Sequence, residues 1–306
     1  MIGFHTDAFN SAHWDFAQCL AWAGAQGVPF IECGVMDGVS WAHGLGYYPH
    51  AALWQDPLAL RREMERVGVR LSQVDAAFPL TGPEGPTLGV QYVLRSIRWA
   101  HLAGGPCVDT TDDRRRPDGM SDEEALRLVR WCYAQIVPVA ARYGVVVNVE
   151  PHGYLTTRPV CLDVILEGFD PRWLRVNMDT GNTLVAGQDP ATFLQRFADR
   201  IGHVHVKDVA LAEAGGRRPG RTGIAISHCA VGEGVAVPEI RRCLRLLRQH
   251  GYEGVCSVEC EGDGGPTVER SLRWLHAEMA AAGFDVAPFS ARDQGEVQGV
   301  CLDSNG

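Results

Sequence analysis

The chain has 306 residues, of which 46% are hydrophobic and 21% charged, and its formal net charge is -9 with a pI near 5.6. A globular chain of this size can bury a full core, and the acidic balance argues against nucleic-acid partners, whose phosphates need clustered Lys and Arg. No stretch approaches the roughly 18 apolar residues of a membrane span, and the N-terminus MIGFHTDAF lacks the form of a signal peptide, so we expect a cytoplasmic protein without membrane partners.

Short β-type runs alternate with longer helical stretches along the sequence. The eight strand candidates are residues 2–9, 29–35, 70–78, 106–111, 145–152, 174–181, 201–208 and 255–262. Helix-start signals stand between them, including Ser121 followed by Glu124, and Asp189 before Pro190. Eight βα units in this length predict an α/β fold, a single-domain (β/α)8 TIM barrel over residues 1–282 followed by a tail at 283–306. A doubly wound open sheet is the alternative, but no G-x-G-x-x-G follows the first strand.

Ten cysteines raise the question of a metal site or disulfides. Their spacing supports neither, because the sequence contains no C-x-x-C pair and most cysteines are scattered through apolar runs. We therefore predict small buried side chains in a reducing compartment.

Polar residues collect toward the ends of the last four predicted strands, where the active sites of (β/α)8 barrels are built. In VNVEPHGY, the first of these segments, polar and apolar positions alternate, which puts the polar side chains on the face that points into the barrel. The polar positions on the four strands are Asn148, Glu150 and His152, then Asn177 and Asp179, then His203, His205 and Lys207, and finally Ser257, Glu259 and Glu261.

Unpaired charges converging at one end of a barrel would cost several kcal/mol per ion in lost hydration. A divalent cation held by Glu150, Asp179, His205 and Glu259 removes this cost. Three carboxylates and one imidazole suit one Mn²⁺, the preferred ion, or Mg²⁺ or Co²⁺, better than the thiolate-rich sets of structural zinc. The alternative is an ion-pair network of Glu, Lys and His that only stabilises the top of the barrel.

The segments VNVEPHGY, VNMDTGNT, IGHVHVKD and GVCSVECEG resemble those of the xylose-isomerase-like superfamily of sugar phosphate isomerases and epimerases, which includes endonuclease IV. The resemblance covers about residues 1–282. It implies that Glu150, Asp179, His205 and Glu259 match the residues that bind one catalytic metal in the ketose 3-epimerases of that family. In those enzymes the two glutamates also move a proton.

The sequence also departs from this family's patterns. Many members have histidine three residues after the aspartate, where this chain has Asn182. Endonuclease IV binds three zinc ions, and His228 matches one of its ligands, but Ile226 stands where that enzyme has an aspartate and Asn182 where it has a histidine. We therefore expect no three-metal phosphodiesterase site.

Five further residues are candidates for binding the substrate: Asn182, Lys207, Arg221, His228 and His50. Lys207 shares the inward face of His205, with a salt bridge to Asp208 or Glu150 as the alternative. Arg221 and His228 lie in the long loop after the seventh strand, and His50 lies in a Tyr-rich loop after the second, where loops of a barrel carry specificity. Surface positions without a function are the alternative for these three. His203, one layer deeper than His205, is expected to be a core histidine.

The resulting hypothesis is a metal-dependent enzyme that removes a proton next to a carbonyl of a sugar or cyclitol, with Glu150, Glu259 and His152 as catalytic residues. The alternative for His152 is a supporting contact to the metal site without a catalytic role. Return of the proton gives an epimer or isomer. Loss of a leaving group gives elimination, as in inosose-type dehydratases or the catalytic subunits of C-glycoside deglycosidases, which the EPH arrangement at 150–152 also resembles. A sugar-binding protein without catalysis is the third alternative. We expect a homo-oligomer, or a small second subunit if the chain is a deglycosidase.

Overall fold

The computed structural model describes residues 1–37, 49–210, 228–262 and 264–286. Its strands are β1 (Ile2–His5), β2 (Phe30–Met36), β3 (Ala51–Ala52), β4 (Arg70–Pro79), β5 (Cys107–Thr111), β6 (Val146–Val149), β7 (Leu174–Asp179), β8 (Ile201–Val206) and β9 (Cys256–Val258). All neighbouring strands are parallel, in the order β1-β9-β8-β7-β6-β5-β4-β2, and pairing of β1 with β2 closes the ring. The predicted eight-stranded barrel is confirmed, with the two-residue β3 added beside β2.

Helices lie between the strands and cover the outside of the barrel. They are α1 (Phe16–Gln26), α2 (Pro57–Val67), α3 (Val90–Ala103), α4 (Asp122–Tyr143), α5 (Pro159–Leu166), α6 (Thr180–Val185), α7 (Pro190–Arg196), α8 (Val237–Gln249) and α9 (Gly265–Ala281). The predicted start signals are confirmed. Ser121 and Glu124 form a capping box on α4, and Asp189 caps α7 by accepting from the Thr192 amide at 2.7 Å.

Period-two alternation separates the two faces of the strands. The apolar positions are buried in the core: Val147, Val149, Val176, Met178, Val204, Val206 and Val258. The polar positions between them line the interior of the barrel, which is why these strands bury carboxylates and imidazoles. None of the helices in the described residues is long and apolar enough to cross a membrane.

The cysteines behave as predicted. Throughout the described ranges the cysteines form no disulfide, and all except Cys229 are buried. The observed strands are shorter than their sequence patterns at several ends. The first, predicted over residues 2–9, ends at His5 because Thr6–Phe9 form a 3-10 turn that the Asp7 amide begins by donating to His5 Nδ1.

Candidate metal centre and active site

Four buried side chains meet at the carboxyl ends of β6 to β9. Glu150 directly follows β6, Asp179 ends β7, His205 lies near the end of β8 and Glu259 directly follows β9. Each offers one ligand atom, and these atoms all lie within 4.8 Å of one another. We call these four residues the quartet. The structure thus brings together all four residues that the sequence singled out for a metal.

The distances within the quartet are those of groups arranged around one ion. Nδ1 of His205 lies 3.3 Å from Glu150 Oε1, 3.8 Å from Asp179 Oδ2 and 2.8 Å from Glu259 Oε2. Ligands bound at about 2 Å from a common cation lie about 3 Å apart. Without an ion, holding three carboxylates and one imidazole this close together costs free energy, because the carboxylates repel one another and burial removes their hydration.

Two oxygens of the quartet lack a hydrogen-bond partner. Asp179 Oδ2 and Glu259 Oε2 are both buried, and the nearby His205 Nδ1 does not meet hydrogen-bond geometry with either. Burial and the neighbouring Glu259 raise the pKa of Asp179 well above its usual range. Buried oxygens without donors, in a set dominated by carboxylates, fit a divalent cation.

Asn182 orients two members of the quartet. Its backbone amide donates to Asp179 Oδ1 at 2.6 Å, since Asp179 is the N-cap of α6, and its side-chain amide donates to Glu150 Oε1 at 3.1 Å. Its own Oδ1 is buried without a hydrogen-bond partner. Asn182 therefore contacts two proposed ligands and also offers one oxygen to the interior of the site.

His205 is held from its other ring nitrogen by Glu32, which sequence reasoning missed. Nε2 of His205 donates to Glu32 Oε1 at 2.9 Å, and Gln73 donates to the same oxygen at 2.8 Å. Glu32 is fully buried on β2, across the barrel from β8. The bond requires the hydrogen on Nε2 of the neutral ring and leaves Nδ1 facing the quartet. A polar residue inside β2 was visible in PFIECGV, but not its partner.

Lys207 pairs with two glutamates at the end of β9. Its Nζ lies 2.9 Å from Glu259 Oε1 and 3.3 Å from Glu261 Oε1. Burial opposes the charge on this lysine, but the two glutamates outweigh burial and raise its pKa well above the usual range. The salt bridge to Asp208 or Glu150, given as the alternative to substrate binding, is therefore wrong in its partners. Asp208 instead accepts from the backbone amides of Val209, Gly232, Gly234 and Ala236.

His152 lies beside Glu150, although not on a strand. Its Nδ1 is 3.5 Å from Glu150 Oε2, and its side chain is 16% exposed. The predicted strand over 145–152 ends at Val149, so turn geometry rather than strand alternation brings this imidazole to the site. Asp112 holds the turn by accepting from the amide of Leu155 and from the amide and hydroxyl of Thr156.

The remaining candidates have different surroundings. His203 is a core histidine as expected: it lies below His205, with Nε2 3.7 Å from Glu32, and burial lowers its pKa to about 4. His50 is largely buried, with Nε2 3.7 Å from Asp7. His228 is exposed, and Arg221 lies outside the described residues.

A second polar group faces the quartet from β1, β4 and β5. His5 ends β1, and its ring lies 5.8 Å from that of His205, centroid to centroid. Asp75 on β4 pairs in register with Asp109 on β5, and both point into the barrel. These residues were not predicted, although FHTD, SQVDA and CVDTT show the same polar alternation as the strands of the quartet.

A profile of the xylose isomerase-like TIM barrel family matches residues 20–278. The chain belongs to this family. The resemblance stated from the strand-end segments is therefore confirmed.

The chain is similar to curated proteins and to solved structures. An inosose dehydratase of Bacillus licheniformis is 29% identical over 162 residues, which cover 50% of this chain and 52% of that protein. This chain thus spans about half the length of the curated relatives that it matches first. A D-tagatose 3-epimerase-like protein has a TM-score of 0.71 at 18% identity, covering 92% of this chain and 97% of that one. The IolI protein, solved with a zinc atom, has a TM-score of 0.65 at 13% identity, covering 92% and 95%. These two structural similarities show the common barrel fold.

Proposed function

We propose that this protein is a divalent-metal-dependent enzyme that removes a proton from the carbon next to a carbonyl group in a sugar or cyclitol. The observation that carries the proposal is the quartet, in which buried carboxylate oxygens converge on one imidazole nitrogen and two of those oxygens have no hydrogen-bond donor. The chain's membership of the xylose isomerase-like TIM barrel family supports it, as do the similarity to a protein named inosose dehydratase and the fold shared with a D-tagatose 3-epimerase-like protein.

Glu150, Asp179, His205 and Glu259 would hold the ion, with Mn²⁺ preferred and Mg²⁺ or Co²⁺ as alternatives. A bound divalent ion supplies Lewis acidity, which lowers the free-energy cost of placing negative charge on a carbonyl oxygen. Asn182 fixes the orientation of Glu150 and Asp179, and Glu32 fixes that of His205. The chain thus arranges its charged groups before the substrate binds.

Glu150 and Glu259 are the proton-transfer groups of the proposal. They approach Nδ1 of His205 from the ends of β6 and β9, at 3.3 Å and 2.8 Å. One oxygen of each is tied to another residue, Glu150 Oε1 to Asn182 and Glu259 Oε1 to Lys207. Two carboxylates that flank a substrate carbon would suit removal of a proton from one face and its return to the other, which gives an epimer, whereas return to the neighbouring carbon gives an isomer.

Elimination is the second candidate, because His152 adds an imidazole to the site. Its Nδ1 is 3.5 Å from Glu150 Oε2 and buried without a hydrogen-bond partner, so the ring is placed to take or give a proton beside Glu150. The similarity to an inosose dehydratase favours this outcome for a cyclitol ketone. The other candidate substrate for elimination is a 3-oxo-glycoside. In that case the protein would be the catalytic subunit of a C-glycoside deglycosidase and would need a small second subunit. Homo-oligomer formation and a cytoplasmic location remain predictions from sequence.

A substrate panel tests the proposal. Purified protein with added Mn²⁺ is incubated with ketoses, inososes and 3-oxo-glycosides, and each reaction is followed by NMR. We expect turnover of at least one class, abolished by a chelator and restored by metal. Binding of a sugar without turnover and without metal dependence would instead identify a binding protein.

A further inference from the structure

His5, Asp75 and Asp109 form a group on β1, β4 and β5 that the proposed chemistry does not use. We propose that this group, which we call the hydroxyl subsite, binds the hydroxyl groups of an uncharged polyol whose carbonyl end lies at the quartet. The subsite names the substrate class of the proposed function and rests on it.

The donor and acceptor atoms of His5 and Asp75 are arranged to bind a hydroxyl group. Nδ1 of His5 accepts from the Asp7 amide at 3.1 Å, so the hydrogen of the neutral ring lies on Nε2. This Nε2 faces Asp75 Oδ2 at 3.9 Å, too far for a direct hydrogen bond. The other oxygen of Asp75 accepts from the Ala77 amide at 2.7 Å, which fixes the carboxylate. A hydroxyl group, which both accepts and donates, fits between such a pair.

A buried carboxyl group without a partner lies beside Asp75, in register on the neighbouring strand. Asp109 is fully buried, and neither of its oxygens has a hydrogen-bond partner. Ionisation of Asp109 costs free energy here, since burial and the charges of Asp75 and Glu150 raise its pKa well above the usual range. A buried polar group without a partner lowers stability, and such groups persist where function requires them.

The charged groups around the subsite favour an uncharged ligand over a phosphate. Asp7, Asp75 and Asp109 lie near the imidazoles of His5, His50 and His205, whereas the buried Lys207 pairs with Glu259 and Glu261. Carboxyl oxygens accept hydrogen bonds from hydroxyl groups but offer a phosphate nothing to balance its charge. A second metal is not indicated, because the described residues contain two groups with ligand spacing, the quartet and Glu32 with His203 and His205, and the subsite belongs to neither.

The subsite also lies within reach of the quartet. The rings of His5 and His205 meet edge to face with centroids 5.8 Å apart, so one small polyol can contact both groups. Asp75 is the accessible member, with a side chain that is 25% exposed, whereas His5 is 2% exposed. The ligand would therefore meet Asp75 first.

Two matched pairs of probes test the subsite by calorimetry on metal-loaded protein: myo-inositol against myo-inositol 1-phosphate, and D-fructose against D-fructose 6-phosphate. We expect at least one uncharged polyol to bind at least tenfold more tightly than its phosphate. Asp75→Asn and Asp109→Leu should each weaken that binding about tenfold or more, the scale of a lost hydrogen bond to a charged group. Metal content should stay unchanged. The control Asp56→Asn, at the exposed N-cap of α2, should bind as the wild type does.

Thermal unfolding separates a binding role from a structural one. Asp109→Leu replaces an unpartnered carboxylate by an apolar side chain of similar shape, so its Tm should equal or exceed that of the wild type while binding weakens. A variant that loses Tm but binds normally would contradict the subsite. So would tighter binding of the phosphates, or no measurable binding of either uncharged polyol at millimolar concentration. If a polyol binds through Asp75 but the protein needs no metal and shows no turnover, the subsite stands and the proposed function is rejected. If turnover depends on metal but Asp75→Asn leaves KM unchanged, the proposed function stands and the subsite is rejected.

Discussion

Glu32 Oε1 lies 2.9 Å from Nε2 of His205, inside the barrel and across it from the strand that carries the histidine. The carboxylate is fully buried, and Gln73 donates to the same oxygen. Asn148 donates in turn to Gln73, so the contact belongs to a chain of side chains that crosses the barrel interior. A carboxylate on the far nitrogen of a metal-binding histidine fixes its tautomer and raises its basicity.

The first prediction is that Glu32 controls metal affinity. Glu32→Gln keeps the shape of the side chain but removes its charge, and should weaken metal binding by about 10- to 100-fold, the usual effect of losing such a partner. Competition with a chelator measures the Kd. Glu65→Gln, on the exposed surface of α2, is the matched control. Equal metal affinity in Glu32→Gln and the wild type would show that the contact is only structural.

The second prediction distinguishes the two outcomes of proton removal. His152→Ala should leave metal content unchanged, because this side chain contacts only one member of the quartet, at 3.5 Å. If the enzyme catalyses elimination, the variant should lose turnover of an inosose or 3-oxo-glycoside by about 10²-fold or more. If it epimerises a ketose through the paired glutamates, the variant should retain that activity. Steady-state kinetics beside metal analysis gives the answer.

The third prediction concerns the backbone around the site. Asp208→Ala removes the acceptor of the amides of Val209, Gly232, Gly234 and Ala236, and should lower the free energy of unfolding by about 3 kcal/mol or more. Asp208→Asn, which keeps one acceptor oxygen, should lose less. Urea denaturation measures both. Equal stability of the two variants would contradict this role for Asp208.

Strand alternation was sufficient to predict the quartet. Each member of the quartet lies at or next to the end of a strand: Glu150, Asp179, His205 and Glu259. Closure of the barrel brings these strand ends together independently of the loop conformations. The same rule would have found Asp75 and Asp109, had it been applied to the strands before residue 112. The eight strands and the caps of α4 and α7 were local signals of the same kind.

Other features depend on tertiary contacts that no local pattern contains. The salt bridge given as the alternative for Lys207 had the wrong partners. The lysine reaches Glu259 and Glu261, which follow the neighbouring strand β9, whereas Asp208, next to it in sequence, accepts from loop amides. Glu32 and His205 are separated by 173 positions. His152 was expected on the same face as Glu150 and does lie near it, but a turn places it there.

The fourth prediction separates this protein from endonuclease IV, which the sequence resembles in HVHVKD. Asn182 contacts Glu150 where that enzyme has a zinc-binding histidine, and His228 is exposed. Together with the net charge of -9, this predicts no incision of DNA that contains an abasic site, even with added zinc. Gel electrophoresis of the DNA measures incision, with an active endonuclease IV as the positive control. Robust incision at low enzyme concentration would contradict the assignment to sugar chemistry.

The most direct test of the account is the transfer of solvent deuterium to the substrate. In D2O, metal-loaded wild-type protein should place deuterium on the carbon next to the carbonyl group, and chelation should stop the transfer. Glu150→Gln and Glu259→Gln should each lower kcat by about 10²-fold or more. Product that retains all substrate hydrogen, formed at the full rate without solvent deuterium, would contradict proton removal and favour a hydride shift.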